Sequence, residues 1–135
     1  MNIVLDTNCL LMSLSRRSTY YPVWRDFVDG KYTLCVTNEI IAEYEEVLTR
    51  KVGPEIASNV IKAILDLPNT KMVHVYYHLR LIAADPDDDK FVDCAFKTNA
   101  RYIVTEDRHY DVLKQTPFPY IDVVDIDEFI KVLRG

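Results

Sequence analysis

Asn2-Ile3-Val4-Leu5-Asp6-Thr7-Asn8 is the stretch that decides the fold class of this chain. A short apolar strand ends abruptly in a carboxylate and two small polar side chains. A strand this apolar is typical of parallel sheets covered on both faces, and open α/β sheets place their ligands at the carboxyl ends of such strands. Asp6 is therefore the first candidate functional residue. Three more acidic sites sit at comparable punctuation: Glu43, the run Asp85 to Asp89, and Asp107. Carboxylates gathered at one sheet edge repel one another unless a cation holds them, so a metal site is the leading expectation.

Beyond that strand, Cys9 to Leu14 reads as a short helix and Arg16 to Tyr21 as a polar, aromatic loop. Pro22 suits a helix start, and Gly30 ends that helix. Thr33 to Val36 is a second strand. Thr37 or Asn38 caps a helix through Arg50, which Gly53-Pro54 stops. Pro54 opens another helix, with Ile56, Val60, Ile61, Ile64 and Leu65 on one face. Met72 to Tyr77 reads as a third strand, rich in β-branched and aromatic residues. A helix then starts in the Asp85 to Asp89 run and continues to about Asn99. Tyr102 to Thr105 is a strand, a short helix reaches Gln115, Ile121 to Val124 is the last strand, and Ile126 to Leu133 a terminal helix. Strands alternating with helices predict a three-layer α/β/α sandwich around a mostly parallel sheet. No linker or repeat divides residues 1–135, so one domain is expected.

Hydrophobic content of 49% and charged content of 27% are ordinary for a globular protein in water. The apolar runs are short and the N-terminus lacks a basic start and cleavage site, so a cytoplasmic protein without membrane contact is expected. Cys9, Cys35 and Cys94 are odd in number and widely spaced, which argues for buried thiols rather than disulfides or a CxxC site. His74, His78 and His109 form no zinc pattern. The net charge of −5 opposes nucleic-acid binding only weakly, because acids that chelate a divalent ion stop counting as negative.

Glu43 falls on or beside the stripe formed by Ile40, Ile41, Tyr44, Val47 and Leu48, where a carboxylate is costly unless paired or on a metal. A rim glutamate paired to a lysine is the bland alternative. In the next acidic run, Val92 and Phe96 are expected to mark the inner face of the helix. Asp88 and Asp89 then point toward the core edge, Asp87 outward, and Asp85 into a turn. Asp93 is as compatible with an exposed flank or a salt bridge as with the site. Asp107 follows Tyr102-Ile103-Val104-Thr105 as Asp6 follows Val4-Leu5, and it suits an Asx turn or helix cap equally well.

These segments together resemble the PIN-domain family, in the branch of toxin-like, VapC-type ribonucleases. Asp6-Thr7-Asn8, Ile40-Ile41-Ala42-Glu43-Tyr44, Asp85-Pro86-Asp87-Asp88-Asp89-Lys90 and Ile103-Val104-Thr105-Glu106-Asp107 carry the likeness, in order, over nearly the whole chain. The resemblance implies a metal-binding acidic quartet of Asp6, Glu43, Asp107 and either Asp89 or Asp88, with Asp89 favoured. Thr7, Asn8 and Thr105 would support these carboxylates. It implies Mg²⁺ or Mn²⁺ as cofactor, since all-oxygen ligands suit hard ions, and metal-assisted hydrolysis of single-stranded RNA. It also implies an antitoxin protein as partner, in a type II toxin–antitoxin pair, and a homodimer. Arg16, Arg17, Arg108 and His109 are candidates to hold phosphates, and Tyr20 and Tyr21 to stack on bases. The rival readings are a PIN-fold RNA-binding or scaffold module with little catalysis and a housekeeping RNA-processing nuclease. A phosphotransfer receiver fits less well: it wants a lysine after a late strand, where this chain has Glu106-Asp107.

Overall fold

The computed structural model describes residues 1–76, 89–115 and 120–135. The strands are β1 (Asn2–Leu5), β2 (Thr33–Val36), β3 (Thr70–Met72), β4 (Tyr102–Val104) and β5 (Val123–Val124). The helices are α1 (Thr7–Met12), α2 (Tyr21–Val28), α3 (Asn38–Val52), α4 (Pro54–Asp66), α5 (Asp89–Thr98) and α6 (Ile126–Arg134), with a 3-10 helix over Arg108–Gln115. Every strand pairing is parallel, and the order across the sheet is β3-β2-β1-β4-β5. Helices cover the sheet in the α/β/α arrangement that the alternation of elements predicts. No helix among the described residues is long and apolar enough to cross a membrane.

The chain steps from β1 outward through β2 to β3, then returns across the sheet to lay β4 on the other side of β1. Direction therefore reverses between β1 and β4, and the crevice outside their carboxyl ends is the switch point where α/β sheets bind ligands. Ile3, Val4, Leu5, Leu34, Cys35, Val36, Ile103 and Val104 are fully buried, which explains why these strands read as continuous apolar runs rather than alternating ones. Helix α5 packs on β1, β2 and β4, α3 lies along α4, and α2 meets α6. Rings link these layers: Tyr32 and Phe129 meet nearly edge-on, with centroids 5.3 Å apart.

Local chemistry sets the boundaries. Asp6 rather than a later residue starts α1, because its side chain accepts the Thr7 N–H as an N-cap. Thr37 caps α3 through the Ile40 N–H at 3.2 Å. Gly53 separates α3 from α4 at φ +93°, a value other residues rarely adopt. The third strand differs most from expectation: it spans Thr70–Met72, not Met72 to Tyr77. Asn69 is the cause. Its side-chain amide donates to the carbonyls of Phe27 and Tyr32, each at 2.8 Å, and its own carbonyl accepts the Leu34 N–H at 2.9 Å. That clamp sets the register two residues early. The Val73 N–H still reaches the Val36 carbonyl, and residues 74–76 leave the ladder of this edge strand. Tyr77 and His78 lie outside the described residues.

Cys9, Cys35 and Cys94 are free and buried, as expected. Burial pushes up the thiol of each, that of Cys94 to about 12.

Candidate functional site

The switch-point crevice is lined by the ends of β1 and β4, which the last ladder bonds hold together. The Asp6 N–H donates to the Val104 carbonyl at 2.9 Å. Beyond that rung the side chains continue the connection. Asp6 Oδ2 accepts the Thr105 hydroxyl at 2.7 Å, and that hydroxyl oxygen accepts the Asp107 N–H at 3.0 Å. Asp6 Oδ1 accepts the Thr7 N–H at 2.7 Å. The Thr7 hydroxyl in turn donates to Glu43 Oε2, and Glu43 Oε1 lies 2.8 Å from Lys90 Nζ. One chain of polar contacts thus joins Asp107, Thr105, Asp6, Thr7, Glu43 and Lys90, drawn from β1, α1, α3, β4 and α5.

Asp6 is the buried centre of this chain, only 8% exposed. Its carboxyl titrates above the ordinary aspartate range, first because burial penalises the charged form. The bonds from Thr105 and Thr7 oppose that shift, while the charges of Glu43 and Asp107 add to it. Glu43 and Asp107 are therefore near enough to act on Asp6 electrostatically. Tyr44 helps fix that closeness: its buried hydroxyl donates to the Leu5 carbonyl at 2.6 Å, tying the residue beside Glu43 to the residue before Asp6.

Both bland readings offered by the sequence also describe real contacts. Glu43 is a rim glutamate paired to a lysine, its side chain 25% exposed and that of Lys90 16%. Asp107 forms a turn, accepting the His109 N–H at 2.9 Å and lying 3.3 Å from the His109 ring nitrogen Nδ1. Asp89 is half-buried at the start of α5, and Asp88, with Asp85 and Asp87, lies outside the described residues. Asn8 is exposed and stands apart from the polar chain that joins Asp107 to Lys90. Arg16, Arg17 and Arg108 are exposed. Tyr21 opens α2 half-buried. Tyr20 faces the start of α6, where the charge of the Asp127 carboxylate raises its phenol.

Helix α5 buries Val92, as its sequence suggested, but not Phe96. Phe96 is 43% exposed, while Phe91, Val92, Cys94, Ala95 and Thr98 are buried. Asp93 is buried too, at 3%, and shares a groove with Thr37, Asn38 and Lys90. The signal for Lys90 was its place one turn before Asp93 and Cys94, which puts it on the inner half of the helix.

Among the described residues, no three Asp, Glu, His or Cys side chains stand close enough to enclose an ion as arranged. The chemistry of the set nevertheless fits a hard divalent cation: every potential donor from Asp6, Thr7, Glu43, Thr105 and Asp107 is oxygen, and three of the five are carboxylates. Burial is the main cause of the raised Asp6 carboxyl, and the smaller repulsion from Glu43 and Asp107 that adds to it is the kind a cation relieves.

A family model described as PIN domain matches residues 2–109. No curated protein matches by sequence. Among solved structures, VapBC2 from Rickettsia felis, bound to a DNA fragment from its promoter, aligns with a TM-score of 0.64 at 14% identity, covering 93% of this chain and 98% of that one. VapC20 of Mycobacterium tuberculosis, a toxin that cleaves the sarcin-ricin loop, aligns at 0.58 and 14% identity over 88% and 98% of the two chains. The PIN-domain endonuclease Utp24 aligns at 0.54 and 15% over 92% and 84%. At such identities the likeness is one of fold.

Proposed function

This chain belongs to the PIN-domain family, and from that premise we propose that it is a metal-dependent ribonuclease that hydrolyses single-stranded RNA as the toxin of a type II toxin–antitoxin pair. The observation that carries this reading is the coupling of Asp6, Glu43 and Asp107 at the switch point through two threonines, Thr105 by its hydroxyl and Thr7 by its backbone N–H and its hydroxyl.

Asp6, Glu43 and Asp107 would hold Mg²⁺ or Mn²⁺, with Asp89 or Asp88 as the fourth acid. A bound ion would supply Lewis acidity, for activating water and for offsetting charge on the phosphate. The protein's own part is positioning. Thr105 and the Thr7 N–H each bind one oxygen of Asp6, which fixes the carboxylate plane and leaves the remaining lone pairs for a ligand. The Thr7 hydroxyl holds one oxygen of Glu43, Oε2. Arg16, Arg17 and Arg108 are exposed cations available to phosphates beyond the scissile one. The likeness to VapBC complexes supports an antitoxin partner, and a homodimer belongs to the same reading.

Incubation of single-stranded RNA with Mn²⁺, with EDTA and with the Asp6→Asn variant tests the chemistry. Cleavage should need Mn²⁺ and fall in the variant by more than the roughly 10–100-fold that loss of a supporting partner costs. Equal cutting by both proteins would remove the acidic site from the reaction. Growth arrest on expression of the wild type, absent for the variant, separates a toxin from a housekeeping nuclease.

A further inference from the structure

Both oxygens of Glu43 are engaged in this structure, one by the Thr7 hydroxyl and the other by the Lys90 ammonium. Lys90 is not a surface lysine that happens to lie nearby. Its side chain is largely buried, and its ammonium lies 5.7 Å from the centre of the Phe91 ring. A charge in this partly shielded position is screened less than a fully exposed one. It also stands at one end of a contact chain containing three carboxylates, where it offsets one of three negative charges.

We propose that Lys90 is a resident counter-ion of the acidic site, holding Glu43 in the metal-free protein and competing with a divalent ion for it. The inference rests on the metal-site reading above. In the metal-free state the ammonium, 2.8 Å from Glu43 Oε1, offsets the negative charge that Glu43 adds beside Asp6 and Asp107. Loading requires Lys90 to give up Glu43, since a single and a double positive charge on neighbouring oxygens repel each other. Lys90 also lines a groove that contains the buried Asp93, beside Thr37 and Asn38. The competition for Glu43 sets affinity for the ion below what the carboxylates alone would give, and occupancy follows the free ion concentration.

Calorimetric titration of Mn²⁺ into the full chain tests this without reference to cleavage. Lys90→Met, or Lys90→Gln should the first fold poorly, is expected to bind Mn²⁺ about tenfold more tightly than the wild type. Its metal-free melting temperature should fall, and Lys90→Arg should track the wild type. A lysine with a purely structural role would weaken ion binding when removed. Unchanged or weaker binding by both neutral variants, with binding lost in Asp6→Asn, overturns the counter-ion and leaves the metal site standing. No Mn²⁺ binding by the wild type or either variant overturns both.

Discussion

Asp6 and Asp107 hang from strand ends that ladder hydrogen bonds already fix, whereas Glu43 and Lys90 reach toward each other from two separate helices. On the strand side the contacts are made by a hydroxyl and backbone N–H groups, and the two to Asp6 are buried. On the helix side an ion pair between half-buried side chains makes the closure. The first arrangement holds geometry through directional bonds with little freedom left. The second holds it through charge, which acts over a longer range and tolerates movement. A site built this way has one preset wall and one adjustable wall.

The contrast breaks hardest at Thr105. Thr105→Val removes the donor to Asp6 and the acceptor for the Asp107 N–H together, leaving a buried carboxylate short of a partner. Urea unfolding should show a loss of about 1–3 kcal/mol, with RNA cleavage down roughly 10–100-fold. Stability equal to wild type would mean that the strand wall does not depend on this hydroxyl.

A smaller effect, of opposite sign, is expected at Asp6 itself. Burial raises its carboxyl in the folded protein above the unfolded value. Between those two values the folded state binds more protons, so stability falls as pH rises through that window and stays reduced above it. Metal-free Asp6→Asn should therefore melt a few degrees higher than wild type at pH 7. The gain should fade on acidification toward the ordinary aspartate value of 3.8. Thermal scans across pH check this, and a difference independent of pH breaks it.

The least effect belongs to the helix wall. Glu43→Gln should cost metal-free stability about 1 kcal/mol or less at low salt, and that cost should shrink in molar salt as charge is screened. The cost of Thr105→Val should not change with salt. Parallel salt responses of the two variants would erase the distinction between the walls.

The strand wall was legible in the sequence for a simple reason. An apolar tetrad ending in Asp6, and another ending in Thr105 before Asp107, leave few places for those side chains except a strand exit. Glu43 was legible from its place beside Tyr44 and Leu48, both fully buried. What the sequence hid were partnerships rather than positions. A single lysine after a run of aspartates carries no period, so its pairing with Glu43 depends on how α3 and α5 meet. Phe96 misled because aromatic character suggested a core residue, while the helix buries the face of Phe91, Cys94 and Thr98 instead. The start of β3 was hidden for a related reason: Asn69, a turn residue by composition, sets the register by bonds to Phe27 and Tyr32 that no local pattern announces.

The three buried cysteines give the molecule a built-in set of silent reporters. Cys9 lies in α1 just past Asp6, Cys35 in β2, and Cys94 in α5 on the face opposed to the sheet. Each thiol is shielded and poorly ionised, so an alkylating reagent reacts only when its segment opens. Labelling each in turn by mass spectrometry would time the opening of both walls on the unaltered chain, with no dye or tag attached.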